Sequence, residues 1–116
     1  MNIEEFREYC LSKLGVAESF PFDEQTLVFK VSGKMFALCD VDLFKSINIK
    51  CNPEKALELR EKYTAINAGY HMNKKHWNTI EMDGSVNNQL LLQMIDDSYD
   101  LIIKGLTKKE KAKLST

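Results

Sequence analysis

The stretch "TLVFKVSGKMFALCDV", Thr26 to Val41, constrains the fold of this chain more than any other. Two runs rich in β-branched and aromatic residues flank Ser32-Gly33. A two-residue connection containing glycine locks such runs into an antiparallel hairpin of defined register. That register predicts the pairs Val31–Lys34, Phe29–Phe36 and Leu27–Leu38 on one face, with Val28, Lys30, Met35 and Ala37 on the other. A lone hairpin is marginal in water, so the remainder of the chain must extend it and cover it.

The extension is legible in "KSINIKC", where Ile47, Ile49 and Cys51 alternate with Ser46, Asn48 and Lys50. "AGYHM" and "WNTIEMD" read as two more short strands around "NKKH", and Asp83-Gly84-Ser85 closes that second hairpin. The cover comes from helices. Ile3, Phe6, Cys10 and Leu14 recur at helical spacing behind an Asn2/Glu5 capping box, predicting a helix at about 3–14 that stops at Gly15. "VAESFPFDE" then reads as a loop. Asn52-Pro53-Glu54 starts a second helix, with Ala56, Leu57, Leu59 and Tyr63 on its apolar side. A third spans about 87–104, with Leu91, Met94, Ile95, Ser98, Leu101 and Ile102 inward and Gly105 as its stop. Thr107 and Glu110 form another capping box, so the lysine-rich end reads as a short helix.

The predicted order is α-β-β-β-α-β-β-α. No strand–helix–strand unit repeats, which disfavours a parallel sheet. The expected fold is α+β: a two-layer sandwich with a five-stranded antiparallel sheet and helices on one face, in a single domain over residues 1–116.

Hydrophobic residues make up 44% and charged residues 28%, an ordinary soluble mix. No apolar run approaches the roughly 18 residues of a membrane span. "MNIEEFREYC" is acidic and amphipathic, unlike a signal peptide, so a cytoplasmic location is expected. The net charge of −1 speaks against a strongly basic nucleic-acid binder, but the charge is unevenly spread. Residues 1–25 carry six acids against two bases, whereas five lysines face only Glu110 from Lys104 onward. Cys10, Cys39 and Cys51 sit among apolar or alternating residues and read as core.

"GYHMNKKHWN", Gly69 to Asn78, holds both histidines and the only tryptophan. A two-residue turn at Asn73-Lys74 would pair Met72 with Lys75 and set His71 opposite His76. A metal would need a further ligand, and Asp40, Asp42 and Asp83 qualify by type only. Ser19, Ser98 and Cys39 are potential nucleophiles, but no spacing ties them to His71. No catalytic residue, metal or cofactor is therefore expected. Tyr99 is expected to tether helix 3 to the second hairpin. Alternation turns Ile80 and Met82 inward and leaves Trp77, Thr79 and Glu81 on the face that carries Lys30, Asn48 and Lys50. A tryptophan between lysines on an open sheet suits base stacking and phosphate contact, and equally a partner protein or homodimer, or a ring partly covered by loop residues. Gly33-Lys34 is not a phosphate loop, since a strand follows it. It is a hairpin tip with an exposed lysine.

"GVAESFPF", "FKVSGKMFAL", "INIKCNPEKALELRE", "AGYHMNKKHWNTIEMDG" and "SYDLIIKGLTKKEK" follow one another in a characteristic order and spacing. Through them nearly the whole chain resembles the MmcQ/YjbR family of small bacterial proteins. Asn67-Ala68 departs from the family, which often has a proline before this glycine. The resemblance implies a fold similar to secretion chaperones and frataxin-like sandwiches, and DNA binding through a double wing of hairpins. On that basis Lys34, Lys74 and Lys75 at the tips, with His71, Asn73, His76, Trp77, Lys30 and Lys50 beside them, are the expected nucleic-acid contacts, mostly to phosphate and without catalysis. The rival expectation is a protein-binding adapter that uses the open sheet face, as secretion chaperones do. An enzyme ranks third.

Overall fold

A computed structural model describes residues 1–114. Four helices, α1 (Ile3–Leu11), α2 (Pro53–Lys62), α3 (Asn88–Lys104) and α4 (Lys108–Leu114), accompany six strands. These are β1 (Val16–Ser19), β2 (Thr26–Val31), β3 (Lys34–Asp40), β4 (Ser46–Lys50), β5 (Ile66–Ala68) and β6 (Trp77–Glu81). The helix starts follow from side-chain capping of backbone donors that have no partner within the helix. Asn2 Oδ1 accepts from Glu5 N at 2.8 Å while Glu5 Oε1 accepts from Asn2 N at 3.1 Å. Asn52 Oδ1 accepts from Glu54 N at 3.0 Å, and Asn87 Oδ1 from Leu90 N at 2.8 Å. Thr107 and Glu110 make the same reciprocal pair before α4. No helix among the described residues is long and apolar enough to cross a membrane.

The strands form one antiparallel sheet in the order β1-β2-β3-β4-β6-β5. The sixth strand is β1, which local sequence presents as loop. The first helix ends at Leu11 rather than Leu14, and Gly15 at φ 76° turns the chain onto the outer edge of β2, pairing Val16 with Val31 and Ser19 with Val28. A four-residue strand with little apolar alternation gains its hydrogen bonds only once β2 is in place.

The first hairpin also departs from the expected register. Val31 pairs with Lys34 and Lys30 with Met35, but a bulge then sets Phe29 against Ala37, Val28 against Leu38 and Leu27 against Cys39. The pairs Phe29–Phe36 and Leu27–Leu38 do not form. The extra residue lets both Phe36 and Ala37 enter the helix-covered core and sends Leu38 to the opposite face.

That core lies between the sheet and its helices. Phe6 and Cys10 of α1, and Leu91, Ile95 and Ile102 of α3, pack on Phe29, Phe36, Ile47, Ile49 and Ile80. Phe6 meets Phe29 edge-on at 5.6 Å between centroids. On α2, Ala56 and Leu59 are buried, whereas Leu57 faces solvent. Cys10 and Cys39 are buried and Cys51 half-buried; burial pushes all three thiols up, Cys39 to about 12. The uncovered face has its own small cluster of Val28, Leu38 and Trp77, flanked by Met35 and Met72.

Candidate nucleic-acid interface

Strand directions decide which connections share an end of the sheet. Ala37 pairs with Ile49, Lys50 with Trp77 and Ala68 with Asn78. The Ser32-Gly33 turn, the exit from β4 and the β5–β6 connection (69–76) therefore emerge at the same end. Lys34, Lys74 and Lys75 are exposed there, and Lys30 and Lys50 are half-buried.

These lysines do not share one face. Lys34 pairs with the core residue Val31 and so points to the helical side. There it meets α4. The Glu110 carboxyl is held below its ordinary value, chiefly by the Thr107 N–H, with Lys34 and Lys113 contributing charge. Lys108, Lys109 and Lys111 of α4 are exposed. Lys30 and Lys50 lie toward the opposite face, with Met35 and Trp77 as their register partners.

The second hairpin is not a simple wing. Pairing stops at Ala68–Asn78, and Gly69 N donates a last 2.8 Å bond to Trp77 O. Two tight turns follow, with Met72 N donating to Gly69 O at 3.3 Å and His76 N to Asn73 O at 3.2 Å. Lys75 N donates to Asn73 Oδ1 at 2.9 Å, and Lys74 Nζ turns back to Gly69 O at 3.1 Å. Tyr70 N donates to Thr79 Oγ1 at 2.8 Å, and Thr79 Oγ1 in turn to Asn48, so the loop folds over the open face.

The expected His71–His76 pair is therefore absent. His71 lines a cavity with Leu38, Asp40 and Asn48, whereas His76 lines another with Lys50, Asn52 and Asn73. Among the described residues no group of three or more His, Cys, Asp or Glu side chains could hold a metal ion.

Trp77 is only 6% exposed and packs in the Val28–Leu38 cluster, so its ring is not a stacking platform. The exposed rings of this segment are Tyr70, at 69%, and His71. Tyr99 is a tether, but to a different place: its hydroxyl donates to Leu14 O between α1 and β1. Arg60 of α2 is a positioning residue that no sequence pattern marks. Its Nε donates to Asn78 Oδ1 at 2.6 Å, and its Nη2 donates to Lys74 O and, at 3.2 Å, to Trp77 O. One guanidinium fork thus holds the loop against the helix layer. The contact joins residues far apart in sequence, and its signal is only an arginine among other charges on an amphipathic helix.

An open antiparallel sheet backed by helices, with a folded loop on its bare face and lysines gathered at one end, defines a small α+β domain. The chain belongs to the YjbR family, whose family model matches residues 11–101. It is 36% identical to the YbdF protein of Escherichia coli O157:H7, over 82% of this chain and 79% of that one. It is 32% identical to the YjbR protein of Escherichia coli K12, over 98% and 97%. A crystal structure of the Deinococcus radiodurans protein DR2400, with family-model domain DUF419, matches with a TM-score of 0.92 and 39% identity, covering 98% of this chain and 88% of that one. A Pseudomonas syringae protein matches with a TM-score of 0.73 and 29% identity, covering 87% and 98%.

Proposed function

We propose that this chain binds DNA non-catalytically, through contacts from the cationic end of its sheet to phosphates. The observation that supports this most is the shared end of the Ser32-Gly33 turn and the 69–76 connection, which gathers Lys34, Lys74 and Lys75 on exposed positions. Lysines from α4 extend the same charge beside Lys34. Ammonium groups set on rigid turns suit the sequence-independent part of DNA binding, which comes from counterion release. With Trp77 buried, base stacking has no place in this reading.

The test is a titration with duplex and single-stranded DNA at several salt concentrations. Lys34→Ala and Lys75→Ala are the informative variants, because the Lys74 ammonium also ties the Gly69 carbonyl. Each lost phosphate contact should reduce the slope of log affinity against log salt by about 0.9 on a duplex. Unchanged affinity and slope in the double variant would overturn the proposal, as would absence of binding at low salt.

A further inference from the structure

We propose that the opposite end of the open face is a cleft for an extended peptide segment of a partner protein, bearing a lysine or arginine beside apolar residues. The site borrows residues 70–72 of the loop that carries Lys74 and Lys75, but none of the lysines lines it, and it does not depend on the DNA reading.

The cleft is a cavity of about 410 Å³ between the β1–β2 connection and the folded 70–72 segment. Its floor is open sheet, with Leu38 and Asn48 as register partners on β3 and β4. Thr26 of β2 also borders it, so three neighbouring strands make a floor about 10 Å across. That width suits an extended chain with its side chains better than a single small cation.

The rims carry aromatic rings. Phe22 stands on one side at 63% exposure and Tyr70 on the other at 69%. Large exposed rings around a concavity are the usual anchors of a protein interface, and their faces attract cations. His71 holds a left-handed backbone at φ 59° and sets its ring 4.1 Å from that of Tyr70.

Charge selects the occupant. Asp23 and Asp40 line the cleft, and no lysine or arginine does. Hydrogen bonds from Gln25 and Thr26 hold the Asp23 carboxyl below its ordinary value, so it stays ionised at neutral pH. The connections at this end add Glu24, Asp42 and Asp83, with Lys45 the single lysine among them. The sign is opposite to that of the hairpin end and repels phosphate. It also disfavours a second copy of this chain, because a two-fold contact through this face would set carboxylates against carboxylates.

Fluorescence anisotropy of a labelled peptide of alternating leucine and arginine, with a leucine–glutamate peptide as control, tests the proposal. The arginine peptide should bind saturably and shift the amide resonances of Leu38, Asn48 and Tyr70–Met72. Asp40→Asn and Tyr70→Ala, each checked for fold by circular dichroism, should weaken it about tenfold or more, equivalent to about 1.4 kcal/mol. Lys75→Ala should leave it unchanged. The proposal is overturned by equal binding of the glutamate peptide, or by indifference to both cleft variants. Resonance shifts confined to other surfaces would also overturn it. So would arginine amide binding as tightly as the peptide, or self-association through this face detected by light scattering and abolished by Tyr70→Ala.

Discussion

Ser98 Oγ donates a 2.7 Å hydrogen bond to the carbonyl oxygen of Phe36. Phe36 is the residue that the β2–β3 bulge leaves without a register partner, and Ser98 is fully buried on α3. The serine thus supplies a donor where the ladder is interrupted, inside a core that admits no unpaired carbonyl without cost. Tyr99, the next residue, packs edge-on to the Phe36 ring at 5.7 Å. The same short piece of α3 therefore fixes both the backbone and the side chain of the bulge.

Replacing Ser98 with alanine should cost about 1–3 kcal/mol, the penalty for a buried acceptor deprived of its partner. Urea denaturation measures it. A loss below about 0.5 kcal/mol would show that the Phe36 carbonyl finds another donor.

Gly69 is where the 69–76 loop crosses Trp77. A Cβ there would lie 2.7 Å from Trp77 Cβ and 3.0 Å from Trp77 O, and neither neighbour is a flexible chain end. Gly69→Ala should destabilise by about 1–3 kcal/mol through overpacking. Trp77 is the only tryptophan, so its emission should shift red as the loop lifts. An unshifted spectrum with unchanged stability would refute this account.

Arg60→Ala should loosen the loop and leave the fully buried Asn78 short of a donor, at a cost of about 1–3 kcal/mol. Amide exchange at residues 70–76 should quicken more than exchange in β3. Arg60→Lys should not restore protection, because one ammonium cannot reproduce a planar fork that spans three acceptors.

Acid should act partly through Asp96, which accepts a 2.7 Å bond from Tyr9 Oη and another from Lys13 Nζ, tying α3 to α1. Burial by itself would raise this carboxyl, but the hydrogen bonds and the Lys13 charge outweigh it and hold it below its ordinary value. A carboxyl lowered in the folded state contributes its full stabilisation above the unfolded value of about 3.9 and loses it as pH falls through the folded one. The melting temperature of the wild type should thus fall more steeply below about pH 4 than that of Asp96→Asn. Parallel curves for the two proteins would exclude the contribution.

Local features of the fold were legible in the residue order. Helix starts at Asn2, Asn52, Asn87 and Thr107 are set by a side chain reaching backbone two or three residues ahead. The Ser32-Gly33 turn and the inward stripe of α3 are likewise short-range patterns, and so is the exposure of lysines beside turns. Features that depend on residues far apart emerged only from long-range packing. β1 becomes a strand because β2 offers it an edge. The bulge at Phe36 is kept where α3 supplies a donor, and it shifts every side chain beyond it by one position. Gly69, Trp77 and Arg60 fold the 69–76 segment over the sheet instead of leaving it as a free wing. Trp77 therefore became core, and His71 and His76 parted into separate cavities. Lys34 turned to the helical side, while Phe22 and Tyr70, unremarkable in the sequence, came to stand across one cleft. Alternation states which residues share a face of a regular strand; only long-range contacts state where the regularity breaks and what then covers each face.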